Sequence, residues 1–231
     1  MNDTYRVGAV EEGRRGGFGR VVTLIRQLQG EGRDVRVTHG GDLLYPSLES
    51  QLWNGQQMVE ALNFIDALAP TYLVAGNHEF DRRTPEHLAN AIRESQFDWL
   101  GDNFTFLTGD AEVDESLQTS FSFRHGDKTI GVFALTLHPE DGGNDRNYVP
   151  IDRDYLAAAK RMIRVFEAAG ADAIIGLTHL HMADDIAISK LRREHPRFVL
   201  IVGGHEHEPQ YQELSTSRAA VMKGASNARI I

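Results

Sequence analysis

No cysteine occurs among the 231 residues, which excludes disulfide staples and thiolate metal ligands outright. Basic residues are the minority, 24 Lys and Arg against 33 Asp and Glu. The resulting formal charge of -9 argues against nucleic acid or an anionic membrane as the main partner, since both require clustered cations. An acidic protein that handles phosphates needs local positive charge, and metal ions can supply it. No apolar run approaches membrane-spanning length, and the start Met1-Asn2-Asp3-Thr4-Tyr5-Arg6 has no apolar signal region. As written, the chain reads as cytoplasmic. It contains no long repeat, no low-complexity tract and no linker, so a single domain over residues 1–231 is the economical expectation. Hydrophobic residues at 41% and charged residues at 25% are ordinary for a domain with a full core.

What is present is histidine, ten in all, and four of these follow or lie close behind short apolar runs. Tyr72-Leu73-Val74-Ala75 predicts a buried strand ending at Gly76, with Asn77, His78, Glu79 and Asp81 just beyond it. Open α/β sheets place their chemistry at such carboxyl ends. Asp81 is close enough to orient the His78 imidazole, which titrates near neutral pH. The spacing of Phe18, Val21, Val22, Ile25 and Leu28 predicts a helix closed by Gly30 and Gly32. A strand from Val35 to Thr38 then leads into His39-Gly40-Gly41-Asp42. A second helix turns Met58, Val59, Leu62, Ile65 and Leu68 inward, and a third starts near Pro85.

Phe121 to Phe123 and Thr129 to Leu135 flank a Gly126 turn and read as a hairpin, so the sheet is mixed. Residues 138–150 have loop composition and are expected at the rim of a site. Asp152 is expected to cap a helix carrying Leu156, Ala159, Ile163 and Phe166 inward. Two more strands, Ala173–Thr178 and Phe198–Val202, run into His179 and into Gly203-Gly204-His205-Glu206-His207, with a helix between them.

Four strand ends thus carry Asp42, Asn77 with His78, His179, and His205 with His207. If they converge, the mixture of carboxylate, amide and imidazole suits Mn, Fe, Co, Ni or Zn better than the all-oxygen shells of Mg or Ca. Without thiolates a closed structural zinc site is disfavoured, and the site is expected to be catalytic and hydrolytic.

Gly41-Asp42, Gly76-Asn77-His78-Glu79, His179 and Gly204-His205-Glu206-His207, in that order, resemble the signature blocks of the calcineurin-like metallophosphoesterases. Arg15-Gly16-Gly17-Phe18-Gly19-Arg20 together with Gly76 to Asp81 is similar to the 5'-nucleotidase branch in particular. The resemblance implies an α/β fold, a mixed-sheet β-sandwich flanked by helices in four αββα layers. It implies a dinuclear metal-dependent hydrolase of phosphate esters, with nucleotides favoured, in which a metal-bridged hydroxide attacks phosphorus. Asp42 is then the shared carboxylate. Asn77, His179 and His205 complete one metal, and Asp3 with His207 hold the other. His78 is the catalytic group that stabilises the phosphoryl or protonates the leaving oxygen, with Asp81 fixing its tautomer.

The chain departs from the family pattern at its start. Asp-x-His after a buried strand is replaced by Asp3-Thr4-Tyr5 with almost nothing before it, so the first strand is expected to be missing. A leader lost with it would move the protein to a periplasmic or extracellular compartment. Gly41-Asp42-Leu43-Leu44-Tyr45 resembles the Gly-Asp-x-x-Tyr block of purple acid phosphatases, which makes Tyr45, and in second place Tyr5, a candidate phenolate ligand for Fe(III). The resemblance places a second, nucleoside-gripping domain after the last motif in 5'-nucleotidases, and none is expected within residues 1–231. Two other functions share these motifs: a phosphodiesterase, and a degenerate binding module that holds one metal or none. His181 is assigned to the rim. His39, His87, His125, His138 and His195 are assigned to surface or turn roles, and Arg14 and Arg15 to a solvated loop.

Overall fold

In the computed structural model, which describes residues 1–119, 121–139 and 147–229, nine strands form two sheets with helices on their outer faces. The first sheet is parallel, in the order β1 (Val37–His39), β2 (Thr71–Val74), β3 (Asp98–Leu100). The second has six strands in the order β4 (Phe121–His125), β5 (Lys128–Thr136), β6 (Ala173–His179), β7 (Phe198–Gly203), β9 (Ala220–Lys223), β8 (Gln210–Gln212). Its edge pairs β4/β5 and β8/β9 are antiparallel, and β5, β6, β7 and β9 run parallel.

Three apolar clusters explain the layering. Val74 and Leu100 of the first sheet pack on Val132, Ala134 and Leu177 of the second, which seals the sheets face to face. Outside the first sheet lie α1 (Phe18–Gly30), α2 (Leu48–Trp53), α3 (Gln56–Asp66), α4 (Glu86–Glu94) and α5 (Ala111–Glu115). Their inward stripe includes Phe18, Ile25, Met58, Leu62, Leu88 and Val113. Outside the second lie α6 (Tyr155–Ala168) and α7 (Met182–Ser189), burying Ala159, Ile163, Phe166 and Ile188. The αββα sandwich expected from the sequence is thus the architecture observed.

Local readings needed correction in a few places. The cap of α6 is Asp154, whose carboxylate accepts from Ala157 N–H at 2.9 Å, and Leu156 on its first turn is 46% exposed. Strands β3, β8 and β9 and helices α2 and α5 were not anticipated, because segments of three to six residues are too short to display a period. Of the expected rim loop 138–150, residues 140–146 lie outside the described residues.

At the amino end, Met1 N donates to Thr38 O at 3.0 Å, Gly40 N to Met1 O at 2.8 Å and Asp3 N to Gly41 O at 2.9 Å. These bonds lay residues 1–3 along β1 and carry Asp3 to that strand's carboxyl end. Among the described residues no helix is long and apolar enough to cross a membrane.

Candidate metal centre

Parallel strands align their carboxyl ends, and here both sheets do so at one edge. The β6 end delivers His179 across to the first sheet, where its Nδ1 bonds Gly40 O at 2.6 Å. Close approach at this seam requires glycine. A side chain at Gly41, whose φ is +87°, would collide with the His179 ring, and one at Gly76 would strike the Asp42 carboxylate.

Asp42 sits at the middle of the resulting cluster, 1% exposed. Its Oδ1 lies 3.4 Å from His179 Nε2 and accepts from His78 N–H at 3.0 Å. Its Oδ2 lies 3.2 Å from the Tyr5 hydroxyl and 4.0 Å from His78 Nε2. On one side, His179 Nε2 is 3.1 Å from Asn77 Oδ1, and the His205 ring stands edge-on to His179 with centroids 5.2 Å apart. On the other, Asp3 Oδ1 is 3.2 Å from His207 Nε2, and the Tyr5 hydroxyl contacts both. Asp3, Asp42, Asn77, His179, His205 and His207 therefore meet in one place. Asp3, Asp42 and His179, all buried, offer ligand atoms within 4.8 Å of one another, a donor set of the oxygen and imidazole kind that suits a transition metal.

Four of these residues, Asp3, Asp42, His205 and His207, have φ between 50° and 80°. Such strain in non-glycine residues collects at working sites, where surrounding bonds over-determine the backbone. Those bonds are visible. Glu79, fully buried, accepts N–H groups from Asp42 at 2.9 Å, Leu43 at 2.6 Å, Leu44 at 2.9 Å and Gly76. Asp3 Oδ2 accepts from Asn2 Nδ2 at 2.6 Å and from His205 N–H at 2.9 Å. Lys223, with its side chain fully enclosed, donates to Leu180 O and Gly204 O, the carbonyls next to His179 and His205, and pairs with Asp185 at 3.0 Å.

Sequence reading missed Glu79, Lys223 and Asp185 as site-builders. In the sequence Glu79 is one letter of the Gly76-Asn77-His78-Glu79 block, with no sign of its own. Lys223 had one legible sign, a lone cation at the inward position of an apolar strand.

Burial and the carboxylates of the cluster set the protonation of its neighbours. Burial disfavours charge on His179, yet Asp42 and Asp3 outweigh it and push the imidazole up to about 9. His78 behaves alike: burial opposes, the Asp81 hydrogen bond and the charges of Asp42 and Asp81 prevail, and it rises to about 9. Asp81 holds His78 Nδ1 at 3.0 Å, so Nε2 is the nitrogen left on the Asp42 side. Burial, then the positive fields of His179 and His181, lowers His205 to about 4 and keeps it neutral, the form that ligates metal. Burial and the neighbouring Asp42 raise Glu79 to about 7.

Tyr45 does not join the cluster. It is 3% exposed in the helical core, its ring packs against His87 with centroids 5.7 Å apart, and its hydroxyl has no polar partner among the described residues. Tyr5, the second choice, is the tyrosine that reaches the carboxylates, and burial together with Asp42 and Asp3 pushes its phenol pKa up. His39 and His195 also differ from their assignment to surface or turn. His39 is buried with Nε2 2.7 Å from Thr4 Oγ1, and His195 is 8% exposed and paired with Glu167 at 2.8 Å. His181 lies beside His205, ring centroids 4.5 Å apart. Arg14 and Arg15 are exposed and engaged with Glu11 and Glu12, as a solvated loop requires.

Comparison with known proteins identifies the family and the fold. A family profile described as calcineurin-like phosphoesterase matches residues 1–209. The snake venom 5'-nucleotidase of Crotalus adamanteus is 23% identical over 199 residues, 82% of this chain and 32% of that protein. The 2',3'-cyclic-nucleotide 2'-phosphodiesterase/3'-nucleotidase of Haemophilus influenzae is 27% identical over 183 residues, 73% of this chain and 28% of that protein. The chain thus spans about a third of the length of these curated relatives. Among solved structures, the NAD nucleotidase of Haemophilus influenzae superposes with a TM-score of 0.77 at 20% identity, covering 93% of this chain and 40% of that one. At that identity the shared property is the fold.

Proposed function

This chain belongs to the calcineurin-like phosphoesterase family, and from that premise we propose that it is a dinuclear metal-dependent hydrolase of small phosphate esters, with nucleotides foremost. The observation that carries the reading is Asp42, whose two oxygens face different partner sets, His179 on one and Tyr5 beside Asp3 and His207 on the other. In this proposal Asp42, Asn77, His179 and His205 hold one divalent transition metal, and Asp3, Asp42 and His207 hold the second, drawn from Mn, Zn, Fe, Co or Ni. When bound, the pair supplies Lewis-acid polarisation of the phosphoryl group and activation of a water. His78, whose Nε2 lies on the Asp42 side, stabilises the phosphoryl oxygens or gives its Nε2 proton to the leaving oxygen. Asp81 orients that ring from Nδ1. The whole of residues 1–231 acts as one catalytic domain.

The test is to strip the protein with a chelator, restore Mn and follow p-nitrophenyl phosphate. Turnover that needs the metal, and that falls by about 10²–10³-fold in Asp42→Asn, is the expected result. Absence of turnover with every one of the five metals overturns the proposal. Rates on AMP and on bis-p-nitrophenyl phosphate separate monoesterase from diesterase.

One observation favours a second reading. The hydroxyl of Tyr5 stands among Asp3, Asp42 and His207, where the family pattern has an imidazole. In a binding module with a single metal, Tyr5 takes the place of the other ion by donating its one hydroxyl hydrogen to one of the two carboxylates. Metal analysis giving one ion per chain, without turnover, would select this reading.

A further inference from the structure

Asp3 and His207 lie far apart in the chain, and one short segment, residues 226–229, grips the backbone of both. On the His207 side, Ser226 N–H and Arg229 Nη2 donate to His207 O at 2.9 and 3.0 Å. Asn227 turns to the other side. Its N–H donates to Asp3 O at 2.9 Å, and its Oδ1 accepts from Tyr5 N–H at 3.0 Å. Its own carbonyl accepts from Gly17 N–H at 3.1 Å. Asn2 extends the same contact, with Nδ2 donating to Gly224 O at 3.2 Å and to the Asp3 carboxylate at 2.6 Å.

The need for such a grip is local. Residues 1–6 belong to no strand or helix, so no ladder fixes their dihedrals, and Asp3 has a left-handed φ of 50°. Asn227 holds the peptide groups on both sides of the buried Thr4 at once. Asparagine suits the position for two reasons. It tolerates the left-handed φ of 56° found here better than other residues with a side chain, and its amide oxygen supplies the acceptor that Tyr5 N–H takes. The other ligand set hangs instead from the ends of parallel strands, braced by Glu79 and Lys223.

We propose that Asn227 is a positioning residue for the second metal position, which sets where the Asp3 carboxylate points and how close it stays to His207. As a metal-site role it rests on the dinuclear reading above. Asn227 touches none of Asp42, Asn77, His179 and His205 through a hydrogen bond among the described residues, so its influence falls on one ion of the two.

The experiment titrates Mn(II) alone into the intact, metal-free protein and counts free ion by electron paramagnetic resonance, with the melting temperature of the metal-free protein measured alongside. The parent should take up two ions. Asn227→Ala loses the acceptor and disfavours the left-handed backbone, so it should weaken one ion by about 10–100-fold and leave the other within about threefold. Asn227→Gly keeps the backbone freedom, loses only Oδ1 and should fall between. Asn227→Asp restores the acceptor and should return to within about threefold of the parent. If Asn227→Ala does not fold, Asn227→Gly against Asn227→Asp makes the same comparison. Unchanged affinity for both ions, or equal weakening of both with a lowered melting temperature, overturns the assignment and leaves the dinuclear reading standing. Uptake of a single ion by the parent overturns that reading, and the role of Asn227 falls with it.

Discussion

Glu79 holds Asp42 by the backbone: its Oε2 accepts the Asp42 N–H at 2.9 Å while Oε1 takes the next two N–H groups, of Leu43 and Leu44. One buried carboxylate thereby fixes the left-handed turn that presents the central carboxylate of the site, and through Gly76 N–H it ties that turn to the His78 loop.

Removing that carboxylate strands four buried donors. Glu79→Ala is expected to destabilise the fold on the order of 3–5 kcal/mol and to weaken metal binding, whereas Glu79→Gln keeps one acceptor oxygen and loses less. Urea unfolding and metal titration of both variants check this. Equal stability of Glu79→Ala and the parent would refute it.

His78 and Asp81 act on turnover more than on folding, since both are partly exposed. His78→Ala should lower kcat by about 10²–10⁴-fold with KM within a few-fold, because proton transfer or phosphoryl stabilisation is lost while the metal ligands stay. Asp81→Asn leaves the imidazole in place with a weaker partner and should cost about 10–100-fold. Steady-state kinetics on p-nitrophenyl phosphate decide the order of the two.

Lys223 and Asp185 form an enclosed ion pair whose ammonium also anchors the carbonyls beside His179 and His205. Lys223→Met leaves Asp185 as a buried carboxylate without a counter-charge, a loss of about 3–5 kcal/mol. Lys223→Met with Asp185→Leu should recover most of the stability and should still bind metal more weakly, because the carbonyl anchor remains absent. Melting temperature and metal affinity, measured together on both variants, distinguish stability from positioning.

Burial outweighs the pull of Lys223 on Asp185 and raises its carboxyl to about 6. The folded protein therefore keeps a proton that the unfolded chain releases at about pH 4. This favours folding below about pH 4, and the advantage is lost as pH rises through about 6. Asp185→Asn removes that dependence, so the stability of the parent relative to the variant should fall between pH 4 and pH 6.5. A constant difference across that window, by chemical denaturation at each pH, would contradict the account.

The periodic helices and the apolar strands were legible because burial imposes a pattern that neighbours along the chain reveal. Met58, Val59, Leu62 and Ile65 line up on one face of α3, as their spacing required. The candidate ligands Asp42, Asn77, His179 and His205 were legible for a related reason, since each closely follows an apolar strand, whereas Asp3, with only Met1 and Asn2 before it, was named from the resemblance alone. Tyr45 and Tyr5 show where this stops. Both are tyrosines near an aspartate in sequence, and sequence proximity to Asp42 favoured Tyr45, but packing put its ring into the helical core and brought Tyr5 across from the chain's start.

By itself, the sequence determined the alternation of strands and helices, the absence of thiolate chemistry and the order of the carboxylate, amide and imidazole blocks, all local or compositional properties. Tertiary structure alone decided that Glu79 clamps Asp42 and that Lys223 braces two loops from β9, one strand in from the edge of the second sheet. The reason is physical: hydrogen bonds and ion pairs between residues scores of positions apart leave no periodic trace in the chain, and they exist only once the two sheets have closed on one another.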